Sequence, residues 1–255
     1  MKIRVLGCHG SQLPYHNTTS FLLEKNILID AGTVTPVLTL EEQLRIDYIF
    51  VTHAHLDHVR DIMFLADNLY HAKRERPLIV CSSRGIIENI HRHLFNNVIW
   101  PDFSKIPSAK APLIKFEILT PGRKKILGDW RVRAMGVHHT VETVGYMMES
   151  KDKAVLFLGD TGPTEDVWKV AGTMKGLRAI FVETSLSGSV QDIADKTGHL
   201  TPVTLAAELK KLKDAKPEIY LYHMKSQYAE AIRREIAAIG DKKIRIIEDG
   251  QVIRL

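Results

Sequence analysis

A short run of the sequence concentrates side chains that bind metal ions. His53, His55, Asp57 and His58 fall within six consecutive positions of a chain that contains 12 histidines. Imidazole and carboxylate groups are donors that zinc and related divalent ions prefer in proteins. A single histidine is more often a surface residue or a satisfied core residue, but four such side chains this close together are difficult to explain by structure alone. The run therefore predicts a metal site.

Four side chains can complete the coordination sphere of one metal ion at most. A site with two metal ions therefore needs further ligands from distant parts of the chain. The candidates share one feature, which is that each directly follows a predicted strand: His138 and His139 follow residues 130–137, Asp160 follows 154–158, and His223 follows 219–222. Asp160 could instead cap the next helix, and His223 could be a solvated loop residue. Their common position at strand ends nevertheless forms a coherent pattern.

The elements that position these residues follow from hydrophobic periodicity and turn signals. The predicted strands are 2–6, 20–24, 27–30, 47–52, 78–81, 113–119, 130–137, 143–149, 154–158, 178–182, 218–222 and 243–247. The predicted helices lie near 40, at 59–72, from 82 to about 95, and at 164–174, 202–213 and 227–238. The Asp249-Gly250 pair predicts a closing hairpin over 246–253. This order favours an α/β protein with two packed sheets and helices outside, in one domain over residues 1–255.

Composition narrows the class of protein. The chain has 35 Lys and Arg against 30 Asp and Glu, a net charge of +5 that suits a phosphate-bearing substrate but forms no long basic run. Two cysteines without Cys-x-x-Cys spacing indicate a reducing compartment. The sequence has no signal-peptide core and no apolar stretch of membrane-spanning length, so a cytoplasmic protein without membrane contact is expected.

The His-x-His-x-Asp-His run, together with Asp30, His139, Asp160 and His223, resembles the metallo-β-lactamase superfamily over essentially the whole chain. The resemblance implies an αββα sandwich of two mixed sheets and two divalent metal ions, with zinc expected and manganese or iron as alternatives. It assigns His53, His55 and His139 to one metal, Asp57, His58 and His223 to the other, Asp160 to both, and Asp30 to a supporting role. His139 fits the spacing to Gly145-Tyr146 better than His138, which remains an alternative.

Other segments are similar to the class II cyclic-nucleotide phosphodiesterases of bacterial type. They are residues 95–103, Gly198-His199-Leu200-Thr201-Pro202 and Asp249-Gly250-Gln251. This resemblance implies hydrolysis of cAMP or cGMP to a nucleoside 5′-monophosphate by a hydroxide that bridges two metals. Asp57 would orient the hydroxide, and His199 would be the general acid, its ring held by Glu183.

Substrate contacts are expected from three residues. Trp100 and Phe103 could stack on a nucleobase, or could simply pack their loop against the core. The turn Cys8-His9-Gly10-Ser11 departs from the Cys-Ser-Gly-Gly usual in the family, which makes His9 a candidate contact.

Two alternatives to a cyclic-nucleotide phosphodiesterase remain open. A tRNase Z-like endonuclease shares the segment from His139 to Tyr146 and residues matching Glu183 and His199. The chain has no long insertion rich in glycine and basic residues, and its thinly spread charge makes nucleic acid an unexpected partner. The second alternative is a metal-binding regulatory protein without catalysis. The family relatives also make a homodimer an expectation.

Overall fold

The computed structural model describes residues 1–212 and 215–255. The strands are β1 (Lys2–Gly7), β2 (Ser20–Leu23), β3 (Ile27–Ile29), β4 (Tyr48–Phe50), β5 (Leu78–Ser82), β6 (Pro107–Ser108), β7 (Ala111–Pro112), β8 (Ile114–Ile118), β9 (Lys124–Leu127), β10 (Trp130–Gly136), β11 (Val144–Ser150), β12 (Lys153–Phe157), β13 (Leu177–Glu183), β14 (Glu218–Tyr222), β15 (Ile244–Ile246) and β16 (Val252–Arg254). The α-helices are α1 (Leu40–Gln43), α2 (Leu56–Val59), α3 (Asp61–His71), α4 (Arg84–His93), α5 (Asp166–Thr173), α6 (Gln191–Thr197), α7 (Pro202–Leu209) and α8 (Ala229–Ile239). Short 3₁₀ turns lie at Gly188–Val190, Lys210–Leu212 and Ser226–Tyr228.

Two seven-stranded sheets share one pattern of pairing. The first has the order β16-β1-β2-β3-β4-β5-β8 and the second the order β15-β14-β13-β12-β11-β10-β9. Neighbouring strands are antiparallel from β1 to β3 in the first sheet and from β9 to β12 in the second. The later pairs, from β3 to β8 and from β12 to β15, are parallel. The predicted pair of mixed sheets is confirmed. Parallel pairing matters for function because it collects the carboxyl ends of several strands at one edge of each sheet.

The sheets pack face to face through an aromatic layer. Phe21 of β2 contacts Phe157, Phe181 and Tyr222 of the second sheet, with ring centroids 5.2 to 5.4 Å apart. These four rings are at most 1% exposed, and aromatic pairs at such separations add about 0.5–1.5 kcal/mol each beyond the area they bury. The rigid layer fixes the position of one sheet relative to the other.

Helices cover the outer faces of both sheets. Buried residues of α3 and α4 join the core of the first sheet. A second core lies beyond the other sheet, where Trp168 of α5, Leu205 of α7 and Ile232 of α8 are completely buried. The expected αββα arrangement is therefore confirmed. Within the described part of the chain, no helix combines the length and the apolar character needed to cross a membrane.

Two sequence predictions differ from the structure. The hairpin over 246–253 is wrong: a turn does form at Asp249-Gly250, but β15 pairs with β14 and β16 pairs with β1, so the chain crosses from one sheet to the other. The helix expected over 202–213 is an α-helix only to Leu209 and a 3₁₀ turn to Leu212, and residue 213 lies outside the described residues.

Candidate functional site

The metal-type residues lie where strands end. The run from His53 to His58 follows β4, Asp160 follows β12, and His223 directly follows β14. His139 comes three residues after β10. All seven of the predicted ligands therefore leave a strand at its carboxyl end, and the packing of the two sheets brings them to one place.

Three histidines form the first group. The Nε2 atom of His53 lies 3.0 Å from Nδ1 of His55, and the ring of His139 lies 5.1 and 5.2 Å from their two rings. Their nearest ligand-type nitrogens all fall within 4.8 Å of one another. His138 is exposed instead, with its main chain bonded to Thr161 and Gly162, so the structure places His139 and not His138 in the group.

Asp57, His58 and His223 form the second group. The Nε2 atom of His223 lies 3.2 Å from Nε2 of His58 and 3.2 Å from Oδ2 of Asp57. Asp160 lies between the groups: its Oδ1 is 3.5 Å from Nε2 of His58, and its Oδ2 is 3.4 Å from His223 and 3.8 Å from His53. A carboxylate in this position can serve two metal ions at once.

In four histidines, a hydrogen bond at Nδ1 fixes which of the two ring nitrogens carries the proton. Nδ1 of His58 lies 2.7 Å from the carboxylate of Asp30, and Nδ1 of His139 lies 2.9 Å from the carbonyl oxygen of Gly198, and both partners can only accept. Nδ1 of His223 lies 2.8 Å from Oγ of Ser185, whose own hydrogen is donated to Glu183.

His53 completes the set, because its Nδ1 lies 3.1 Å from Oγ1 of Thr52, which donates its own hydrogen to Asp30. In its neutral form each of the four rings therefore donates from Nδ1 and directs a bare Nε2 lone pair at the centre.

This arrangement fits a metal site. Metal-binding histidines usually donate their outer N–H to a carboxylate, hydroxyl or carbonyl group, which fixes the tautomer. Two bare Nε2 atoms cannot hydrogen-bond each other, so the 3.2 Å approach of His58 and His223 calls for a positive charge between them, either a metal ion or a proton held on His58. Among the described residues, Nε2 of His139 and Oδ1 of Asp160 are buried without a hydrogen-bond partner, and unpaired buried polar atoms within a cluster of donor groups fit a site that binds a cation.

Burial and neighbouring charges set the ionisation of the cluster. Burial lowers the pKa of His53, His55 and His139, which keeps these imidazoles in the neutral form that binds metals. Burial would raise the pKa of Asp160, but the surrounding imidazoles of His223 and His58 lower it well below its usual range. For His58, the carboxylates of Asp160 and Asp30 outweigh burial and raise the pKa. The same carboxylates would stabilise any cation at that place.

The backbone is unusual at two functional residues. Asp30 and His223 have φ angles of +57° and +64°, in the left-handed region that non-glycine residues rarely adopt. Such strain persists only where the surrounding structure imposes it, and it is common at functional sites. Gly198 ends α6 at φ +65°, and a Cβ atom there would lie 3.0 Å from Cα of His139. Glycine therefore allows the chain to pass close to His139.

His199 and Glu183 form a buried pair beside the cluster. Nδ1 of His199 lies 2.8 Å from Oε1 of Glu183, and the ring of His199 lies 5.0 Å from that of His139. Glu183 is fully buried. Burial lowers the pKa of His199, but the negative charge and hydrogen bond of Glu183 outweigh this effect and raise that pKa to about 8. Without a bound metal ion His199 is therefore largely protonated at neutral pH, so it can donate a proton.

A cavity of about 470 Å³ opens onto the cluster, a size typical of small-molecule sites. Its lining includes His55, Asp57, His139, Asp160, His199 and His223, and also Thr140, Leu186, Ile193, Thr197, Lys225, Gln227 and Tyr228. The second set was not predicted from the sequence. Most of its members nevertheless lie close to candidate residues along the chain, since Leu186 follows Glu183, and Lys225, Gln227 and Tyr228 follow His223.

Three residues that the sequence suggested as substrate contacts do not belong to the described lining of this cavity. Phe103 is 3% exposed and packs in the core. Trp100 packs edge-on against Phe64 at 5.3 Å. His9 stacks on His16 at 4.2 Å and lies 3.3 Å from Asp249. These are packing contacts within the chain, and a role of the three residues in substrate binding stays a prediction.

A sandwich of two mixed sheets with a histidine and aspartate cluster at the strand ends is the architecture of the metallo-β-lactamase fold. Residues 25–224 match the family model described as the beta-lactamase superfamily domain, and the chain belongs to this family. It is 26% identical over 181 residues to a probable 3′,5′-cyclic-nucleotide phosphodiesterase of Yersinia pestis, an alignment that covers 64% of this chain and 50% of the relative.

A ribonuclease Z of Treponema denticola is 28% identical over 158 residues, which are 58% of this chain and 48% of the relative. This chain thus spans about half the length of these two curated relatives. The crystal structure of unliganded yeast PDE1 matches 100% of this chain and 99% of its own length, with a TM-score of 0.86 and 18% identity. At that identity the likeness establishes the fold.

Proposed function

We propose that this protein is a metal-dependent phosphodiesterase that hydrolyses 3′,5′-cyclic nucleotides, cAMP or cGMP, to nucleoside 5′-monophosphates. The observation that carries the proposal is the convergence of bare imidazole nitrogens and carboxylates at one end of a cavity large enough for a small ligand. Relatives named as cyclic-nucleotide phosphodiesterases in Yersinia pestis and in yeast support the choice of substrate.

The proposed ligand sets follow the two groups of side chains. His53, His55 and His139 would hold one divalent ion, and Asp57, His58 and His223 the other, with Asp160 shared between them. Nitrogen and carboxylate donors suit zinc, and manganese or iron accept the same set. Two ions at this place would supply Lewis-acid charge to a phosphate group and acidify a water molecule at neutral pH.

Asp57 is the proposed base. Its side chain is 30% exposed, against 2% or less for Asp160 and His223, so it is the carboxylate of the cluster that faces the cavity most openly. Its Oδ2 contacts His223, which leaves Oδ1 to accept a hydrogen bond from the attacking water. In this position Asp57 orients the water towards the phosphorus and takes up its proton.

His199 is the proposed acid. The 3′-oxygen leaves as an alkoxide and needs a proton, and a protonated histidine beside the cavity can supply it. Nδ1 of His199 is bonded to Glu183, so Nε2 is the atom that delivers the proton. Glu183 is a positioning residue, because it contacts the ring of His199 and not the cavity.

A tRNase Z-like endonuclease is the second candidate. Relatives named ribonuclease Z support it at slightly higher identity than the phosphodiesterases, though over a shorter part of this chain. The same metal ligands and the same pair of His199 and Glu183 would serve for a cyclic nucleotide or for a tRNA precursor. The two functions therefore differ only in which substrate the cavity and its rim bind.

The test is a substrate panel given to protein reconstituted with zinc or manganese. We expect turnover of cAMP or cGMP that disappears with a chelator and returns with metal. Cleavage of a tRNA precursor without hydrolysis of either cyclic nucleotide would favour the endonuclease. Metal binding without hydrolysis of any diester would favour a regulatory protein, and failure to bind metal would refute the ligand assignment.

We also propose that residues 1–255 act as one metallo-hydrolase domain, since the second ligand group combines His58 from the first half of the chain with His223 from the second. The homodimer and the cytoplasmic location stay predictions from the sequence.

A further inference from the structure

One wall of the cavity has no part in the proposed chemistry. It is built from Leu186, which follows β13, Ile193 of α6 and Tyr228 of the 3₁₀ turn before α8. We call these three residues the apolar wall. They come from three separate segments, so their convergence on the cavity follows from the fold and not from a local sequence pattern.

Ile193 is the member of the apolar wall that most needs an explanation. It is 42% exposed although it is a large aliphatic residue, and its helix buries only Ala194. Leu186 is 6% exposed and is fixed by a hydrogen bond from its main chain to Leu200. Tyr228 adds a partly buried ring to the same lining. An aliphatic surface beside an aromatic ring is suited to the flat faces of a nucleobase.

Lys225 adds a permanent positive charge to the cavity lining. It is the one lysine or arginine among the described residues of the lining. Its ammonium group donates to the carbonyl oxygen of Gly10 at 2.5 Å, and its main-chain N–H donates to Ser185. An ammonium group has three donors, so two remain for a ligand while the bond to Gly10 fixes the position of the charge.

We propose that Lys225 and the apolar wall form a mononucleotide subsite: the wall contacts the nucleobase, and Lys225 donates to a phosphate oxygen. The subsite rests on the proposed function, since it places a nucleotide in the same cavity. It assigns base recognition to Leu186, Ile193 and Tyr228 and not to Trp100 or Phe103. A cyclic nucleotide places a flat base and a charged phosphate within one small molecule, which matches an apolar wall and a lysine that line one cavity.

The first test is equilibrium binding of AMP to the zinc-loaded protein, measured by calorimetry. We expect Ile193→Ser and Tyr228→Ala each to weaken binding about five-fold or more, the loss that follows from removing one base contact. Val203→Ser is the matched control, because Val203 is 65% exposed on the neighbouring helix α7 and lies outside the lining. Circular dichroism and zinc content are measured for every variant to show that each one folds and loads metal.

The second test compares two substrates in steady-state assays. The loss of kcat/KM caused by Ile193→Ser or Tyr228→Ala should be at least five-fold greater for a cyclic nucleotide than for a phosphodiester without a nucleoside. Lys225→Met should raise KM for both substrates, since both carry a phosphate. Equal losses on the two substrates from the wall variants would overturn the assignment of the base to the wall.

The two proposals fail in different ways. AMP binding that depends on the apolar wall, without hydrolysis of any cyclic nucleotide, would refute the proposed function and leave the subsite standing. No AMP binding by the wild-type protein, or wall variants that bind AMP as tightly as Val203→Ser, would refute the subsite even if cyclic nucleotides are hydrolysed.

Discussion

Replacing Glu183 by glutamine removes one negative charge without changing the size of the side chain. Both carboxylate oxygens of Glu183 are fully used. Oε1 accepts from the main-chain N–H groups of Thr161 and Leu200 and lies 2.8 Å from Nδ1 of His199. Oε2 accepts from the main chain and the hydroxyl of Ser185. A glutamine amide has only one oxygen, so whichever way it turns its NH₂ group faces at least one buried N–H donor.

The expected cost has two parts. A buried main-chain donor left without an acceptor costs about 1–3 kcal/mol. The second part is the loss of the partner of protonated His199, whose pKa is raised from 6.5 to about 8 in the folded protein. That difference of about 1.5 pKa units corresponds to about 2 kcal/mol. Because the folded pKa is raised, this contribution is fully present below pH 6.5 and is lost as the pH rises through 8.

We therefore expect Glu183→Gln to lower the free energy of unfolding by about 3–5 kcal/mol at pH 5.5 but only by about 1–3 kcal/mol at pH 9.5. Urea denaturation of metal-free protein at the two pH values measures the difference. Glu75→Gln, at an exposed residue of the turn between α3 and β5, is the matched control and should show no such pH dependence. An equal penalty at both pH values would refute the conclusion that Glu183 holds a proton on His199.

Three further predictions concern separate parts of the molecule. His199→Ala should slow turnover about 100-fold or more with metal content unchanged, and it should remove the loss of wild-type activity as the pH rises through about 8; loss of metal would contradict an acid role. Asp30→Asn should weaken metal affinity about 10–100-fold in chelator competition, because Asp30 fixes Nδ1 of His58; unchanged affinity would refute the tautomer argument. Asp249→Asn should cost about 1–3 kcal/mol in thermal unfolding, since the carboxylate accepts from the main chains of Cys8 and Asn17, and an unchanged midpoint would contradict this.

Much of the candidate site could be predicted because its residues stand next to strong strand patterns. His53 to His58 follow β4 in one unbroken run, and Asp160 and His223 each follow a buried strand within a few residues. The choice between His138 and His139 could not be made from the strand alone. It depends on how the main chain of His138 is bonded to Thr161 and Gly162, which lie more than 20 positions away.

The remaining features depend on contacts that leave little trace in the sequence. The helix α6 buries one residue, Ala194, so it shows no apolar period. The Asp249-Gly250 turn has the composition of a hairpin, but the Asp249 carboxylate bonds to Cys8 and Asn17 and helps to hold the crossing between sheets. Ile193 and Tyr228 belong to different segments that meet only in the folded protein.

The cluster itself depends on the packing of one sheet against the other. Nε2 of His58 comes from the first sheet and Nε2 of His223 from the second, and both atoms are bare at 3.2 Å. In their neutral forms they gain nothing from this approach unless a cation lies between them, so another interaction must hold them there. The aromatic layer supplies it, because Phe21 of the first sheet packs edge-on at 5.2 Å against Tyr222, the residue before His223. The core thus preorganises the ligands, and a metal ion would find the distance between the two histidines already set.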